Sequence, residues 1–115
     1  MAHLDVYRNP NAKQAPGFPY LLEVQTALLG NMPTTVVIPL GLPAVIDHVP
    51  VIRLNPPVKV SGRKLLVMTQ ELAAIKRRPL KEPVANLSAQ RDEILAALDF
   101  LFRSEEHTSE LQSQR

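Results

Sequence analysis

The residues able to carry chemistry are few and scattered. Histidines stand only at His3, His48 and His107, without the close helical or hairpin spacing that metal ligands show. Each reads as a surface or turn histidine, and no metal is expected. Ser61 and Ser88 fall in a turn and at a helix start, and neither lies in a G-x-S-x-G nucleophile elbow. Gly17, Gly30, Gly41 and Gly62 are too dispersed for a dinucleotide fingerprint or a phosphate loop, so no nucleotide cofactor is expected. The chain has no cysteine, which removes thiolate nucleophiles, cysteine-based zinc sites and disulfides. The acids stand singly on strands or at helix starts, where solvated surface accounts for them. Lys76-Arg77-Arg78, with Lys81 nearby, is the one basic cluster. It suits phosphates, yet no aromatic residue interleaves it to stack on bases, and a solvated connection is the plainer explanation. With no acid, base and phosphate-binding set, the chain is expected not to be an enzyme.

The elements that must position these residues follow from periodicity and turn chemistry. His3 to Tyr7 alternates as a half-buried first strand does. Arg8 to Pro19, with three prolines and Gly17, is a loop of about twelve residues, a length that usually signals function or mobility. Tyr20 to Gln25 predicts a strand with Tyr20, Leu22 and Val24 on one face. Thr34 to Leu40 is a β-branched run suited to a sheet interior, with Leu28 to Pro33 as the connection between the two. Pro39 cannot donate to a ladder, so it belongs at a strand end, an edge or a bulge. Val51 to Leu54 predicts a further short strand. Ser61-Gly62 between Val58–Val60 and Arg63–Thr69 predicts a tight antiparallel hairpin. Gln70 to Ile75 suits one or two helical turns, and Lys76 to Pro83 a connection. Ser88 is placed to cap a helix carrying Asp92 and Glu93 early and Ile94, Leu98 and Leu101 at helical spacing. Many antiparallel strands followed by a C-terminal helix make an α+β fold that is mainly antiparallel β.

Size and composition agree with one domain. The 115 residues are 45% apolar and 21% charged, with 11 prolines, enough for a single core and too few for two. The broken apolar stretch Val36 to Ile46 falls short of the roughly 20 residues a bilayer span needs, and Met1 to Tyr7 has no apolar signal core. A cytoplasmic protein without membrane contact is expected. The net charge of +2 is too mild to argue for nucleic acid. The part before residue 104, with 12 basic against 8 acidic residues, carries +4. Residues 104–115, SEEHTSELQSQR, are polar apart from Leu111 and are expected to form a disordered tail. They also resemble the translated sequencing-adapter segment that ends some open reading frames, which leaves residues 1–103 as the domain.

Two further sets of residues point to binding. Phe100-Leu101-Phe102 places three large apolar side chains about 100° apart around a helix, and one sheet cannot cover all three. Part of that surface is expected to meet another chain. Asp5-Val6-Tyr7, Leu22-Glu23-Val24-Gln25, Val37-Ile38-Pro39-Leu40, Leu66-Val67-Met68-Thr69 and Asn86-Leu87-Ser88 stand in the order and approximate spacing of the CcdB toxins. The resemblance covers about residues 4 to 102, and Val-Gln followed by Val-Ile-Pro-Leu is its most specific part.

Resemblance to CcdB implies an SH3-barrel-like, homodimeric protein with a C-terminal helix, the toxin of a toxin-antitoxin pair involved in plasmid maintenance. It implies no cofactor and no catalysis. The partners implied are the DNA gyrase A subunit, which such toxins bind so as to trap gyrase on cleaved DNA, and a CcdA-like antitoxin; no direct sequence-specific contact to nucleic acid is implied. Gyrase contacts in the family come from an apolar pair after the Val-Gln strand, matched here by Leu28 and Leu29, and from the end of the last helix. There Asp99 and Phe102 align with positions near the site, Asp99 as a changed residue. Arg103, Ser104 and Glu105 take the places of an aromatic, a glycine and an apolar terminus, so gyrase binding is expected to suffer. The Arg8 to Pro19 loop is also longer than in the family. The alternatives are a MazF-like endoribonuclease toxin, and a module that binds antitoxin without toxicity.

Overall fold

The structure is a computed structural model that describes residues 3–46 and 50–103. His48, His107 and the expected tail at 104–115 lie outside the described residues. Among those described, the strands are β1 (Asp5–Arg8), β2 (Tyr20–Glu23), β3 (Thr34–Gly41), β4 (Pro57–Val60), β5 (Arg63–Val67), β6 (Ala73–Lys76) and β7 (Ala85–Asn86), followed by helix α1 (Arg91–Arg103). They hydrogen-bond in the order β4-β5-β3-β2-β1-β7, with β6 alongside β3. Every pairing is antiparallel. The sheet curls into a nearly closed barrel with one C-terminal helix, the α+β, mainly antiparallel architecture of a CcdB-type fold.

The hairpin forms where turn chemistry places it. Ser61 and Gly62 both have positive φ, 53° and 79°, as a two-residue turn matched to the strands' right-handed twist requires. Val60 therefore faces Arg63, and Lys59 faces Lys64. The inner face packs Val6, Tyr20, Leu22, Ile38, Leu40, Val58, Val60, Leu65 and Val67 around Ile94 of α1. Leu4, fully buried just before β1, ties the end of β2 to the segment that leads into α1: its N–H donates to the Glu23 carbonyl and its carbonyl accepts from the Leu87 N–H, both at 2.9 Å.

Several local expectations give way to tertiary context. All four residues of β2 are buried, not every second one. Tyr20 and Leu22 face the core, while Leu21 and Glu23 lie on the outer face beneath other segments. The long loop after β1 folds back rather than reaching outward: Asn9 Nδ2 donates to the Phe18 carbonyl at 2.9 Å, and Asn9 Oδ1 accepts from the Asn11 N–H at 2.9 Å. Pro39 sits inside β3, not at its end. Its carbonyl accepts from Met68, so its missing N–H falls on the side where β3 changes partner from β6 to β5, a gap in the ladder.

The predicted strand at Val51 to Leu54 is a turn, because Leu54 and Asn55 N–H both donate back to the Val51 carbonyl and Asn55 Oδ1 accepts from the Val51 N–H. Gln70 to Ile75 is not helical beyond a 3-10 turn at Thr69–Glu71; Ala73–Lys76 pairs as β6 along the edge of Thr34–Val37 that faces away from β2. Ser88 opens a 3-10 turn, Ser88–Gln90, but does not cap it. Asn86 does so in its place, its Oδ1 accepting from the Ser88 N–H at 2.8 Å.

Candidate functional site

The β2–β3 connection leaves the barrel as a 3-10 turn, Ala27–Leu29. Thr26 organises it: its Oγ1 accepts from the Leu28 N–H at 3.3 Å and its carbonyl from the Leu29 N–H at 3.1 Å. The turn turns Leu28 outward until it is 91% exposed, with Leu29 at 43%. A leucine this exposed contributes almost nothing to folding, and its full burial by a partner is worth about 1.5–3 kcal/mol. Met32, at the other side of the connection, is also exposed.

The second set lies at the end of α1. Ile94 and Ala97 are buried, whereas Phe102, on the last turn, is 69% exposed. Asp99 and Arg103, one helical turn apart, pair at 2.8 Å with both side chains more than half exposed, an arrangement worth little to stability. Arg103 thus meets an acid, where an apolar contact would need it to be desolvated. Phe100 is partly covered, its ring lying 4.8 Å from the Arg53 guanidinium. The turn that carries Arg53 leaves Val51 and Ile52 exposed. That apolar surface had no signal of its own in the sequence, since Val51 to Leu54 reads as strand until Asn55 is seen to close it.

The two sets therefore sit on separate elements, and among the described residues the Ala27–Leu29 turn and α1 are not closely packed against each other. Each turns a large apolar side chain to solvent, Leu28 in the first and Phe102 in the second.

The outer face of the sheet carries a polar cluster that pattern alone misses. Tyr7, Glu23 and Thr35 lie in a diagonal row across β1, β2 and β3. Glu23, expected to be solvated, is buried; it accepts from Thr35 Oγ1 at 2.6 Å, from Arg77 Nη1 at 2.8 Å and from the Tyr7 hydroxyl at 3.4 Å. Arg77 is correspondingly removed from the basic cluster and committed to this carboxylate. Burial pushes the Tyr7 phenol pKa up, and the Glu23 and Asp5 charges push it the same way. Beside the cluster, Phe18, Leu21, Val37, Pro39 and Ile75 line a groove of about 410 Å³.

Among the described residues no group of three or more His, Cys, Asp or Glu side chains is placed to hold a metal ion. No helix there is long and apolar enough to cross a membrane. No curated protein matches the chain. The family model described as CcdB protein matches residues 3–104, nearly the whole length, and with the barrel, the terminal helix and the outward-turned apolar pair in view, the chain belongs to the CcdB family of toxins.

Proposed function

We propose that the protein is the toxin of a toxin-antitoxin pair, a homodimer that binds the DNA gyrase A subunit and traps gyrase on cleaved DNA, and that a CcdA-like antitoxin neutralises it. The observation that carries this is the solvent position of Leu28 and Leu29, on a turn the chain itself holds in place, within a chain of the CcdB family. Leu28, Leu29, Asp99, Phe102 and Arg103 form the gyrase-facing set. The protein is a cytoplasmic binding poison and not an enzyme. Against the ribonuclease alternative, Arg77, the centre of the basic cluster, is tied to Glu23 and not free for phosphate. The apolar side chains left exposed at Val51 and Ile52 give a second copy of the chain a surface to cover.

Gyrase binding is weak in the sequence as it stands, because Arg103 and Glu105 occupy places that call for apolar anchors, and terminal anchors of that kind cost about 2 kcal/mol or more when lost. The test is titration of a gyrase A dimerisation-domain fragment onto two proteins. One is the chain as given; the other carries Arg103→Trp, Ser104→Gly and Glu105→Ile with everything from Glu106 deleted. The repaired variant is expected to bind and to accumulate cleaved DNA with gyrase, the chain as given to bind weakly or not at all. Equal, tight binding by both would place the site elsewhere, and specific cleavage of single-stranded RNA, abolished by changing the exposed Arg78 with Arg77 kept, would favour the ribonuclease. Light scattering at micromolar concentration should give about twice 12.8 kDa.

A further inference from the structure

Arg77 joins three segments. Its backbone N–H donates to the Pro33 carbonyl at 2.9 Å, its Nε to the Met32 carbonyl at 3.2 Å, and its Nη1 to Glu23 Oε2 at 2.8 Å. The Glu23 side chain is only 8% exposed, so the guanidinium is anchored on a fixed carboxylate in β2 while its other donor holds the β2–β3 connection. From there the bonds run on toward the apolar pair. The Met32 N–H donates to the Leu29 carbonyl and the Leu29 N–H to the Thr26 carbonyl, both at 3.1 Å.

Residues 26–33 lie outside the strand ladder, and Leu28, at 91% exposure, has almost no packing of its own. What fixes its position is therefore this line of hydrogen bonds, together with the one its own N–H donates to Thr26 Oγ1 at 3.3 Å. The planar guanidinium supplies two donors at a set spacing, which a lysine ammonium on a flexible stem does not reproduce. We propose that Arg77 is a positioning residue for the partner-binding turn: anchored on Glu23, it holds Met32 and Pro33 and so presents Leu28 and Leu29 in one arrangement. The inference rests on the proposed role of that pair in binding gyrase. A turn that spends part of its time elsewhere binds more weakly in proportion to the fraction still competent.

Arg77→Met would leave Glu23 buried without a cation and endanger the fold, so the informative variant is Arg77→Lys, which keeps a charge beside Glu23 and gives up the bond to Met32. It is made in the repaired C-terminal background, with and without Leu28→Ala, and read by amide hydrogen exchange and by titration of the gyrase A fragment. Exchange at Leu29 and Met32 should quicken about two- to threefold while amides of β4 and β5 keep their protection, and affinity should fall about two- to threefold, as the loss of about one net hydrogen bond shifts the turn from mostly held to mostly released. The loss of affinity should also shrink when Leu28 is already alanine, a coupling that general destabilisation would not produce. Unchanged exchange at Leu29 and Met32 overturns the inference. So does faster exchange with unchanged affinity, provided Leu28→Ala weakens binding. If Leu28→Ala itself leaves affinity intact, the role of the pair in gyrase binding fails instead, and the exchange data alone still decide whether Arg77 holds the turn.

Discussion

Leu28 and Leu29 are adjacent in sequence and alike in chemistry, yet the structure assigns them different consequences on truncation. Full burial of a leucine side chain is worth about 2 kcal/mol. Leu28 has 91% of its surface available to a partner, so Leu28→Ala in the repaired background should cost most of that sum in binding, about 1.5–2 kcal/mol, or roughly 10- to 30-fold in Kd. It should cost almost nothing in folding. Leu29 has 43% available, so its truncation should cost less than half as much in binding, about fourfold in Kd. The part of Leu29 already buried contributes to stability instead, by about 1 kcal/mol, which for a domain of this size lowers Tm by about 4–8 °C. Calorimetric titration of a gyrase A fragment, alongside thermal unfolding of each variant, reads both quantities. Neither binding effect should depend on ionic strength, because no charge is involved. A folded Leu28→Ala variant with unchanged Kd, or a Leu29→Ala variant that binds worse than Leu28→Ala while keeping its Tm, would show that exposure in the free protein does not measure contact with the partner.

Three further outcomes follow from the fold. Asn55 is 1% exposed and bonds the Val51 N–H, the Val67 carbonyl and Gln70 Oε1; Asn55→Ala strands buried partners and should destabilise by about 1–3 kcal/mol in a urea titration. A Cβ at Gly41 would lie 2.9 Å from Phe18 Cε2, so Gly41→Ala should cost about 1–3 kcal/mol by the same measurement. Adding Phe18→Ala to it should cost less than the sum of the two single changes. The raised Tyr7 pKa favours the neutral phenol in the fold; that stabilisation is complete below the unfolded value near 10 and is lost as pH rises through the folded one. Tyr7→Phe should therefore flatten the fall in stability between about pH 9 and 11, and an identical alkaline limb in both proteins would count against the network around Glu23.

Features that depend on neighbours along the chain are legible in the residues alone. The Ser61-Gly62 hairpin follows from two residues that tolerate positive φ, and α1 from apolar positions three and four apart with Asp92 and Glu93 in its first turn. The family pattern, spread over residues 4 to 102, likewise carried the fold class. Features that depend on a partner far away in the chain emerge only on folding. Glu23 looks like a solvated strand acid and Arg77 like one of a basic run; 54 residues apart, they become a partly buried pair only because β6 lies along β3 and carries Arg77 past the end of β2. Val51 to Leu54 has strand-like residues and Gln70 to Ile75 helix-tolerant ones, yet the bonds of Asn55 close the first into a turn and the free side of Thr34–Val37 recruits the end of the second as a strand. Periodicity records which face of a segment is apolar, but not what will lie against that face, and burial is set by the second of these.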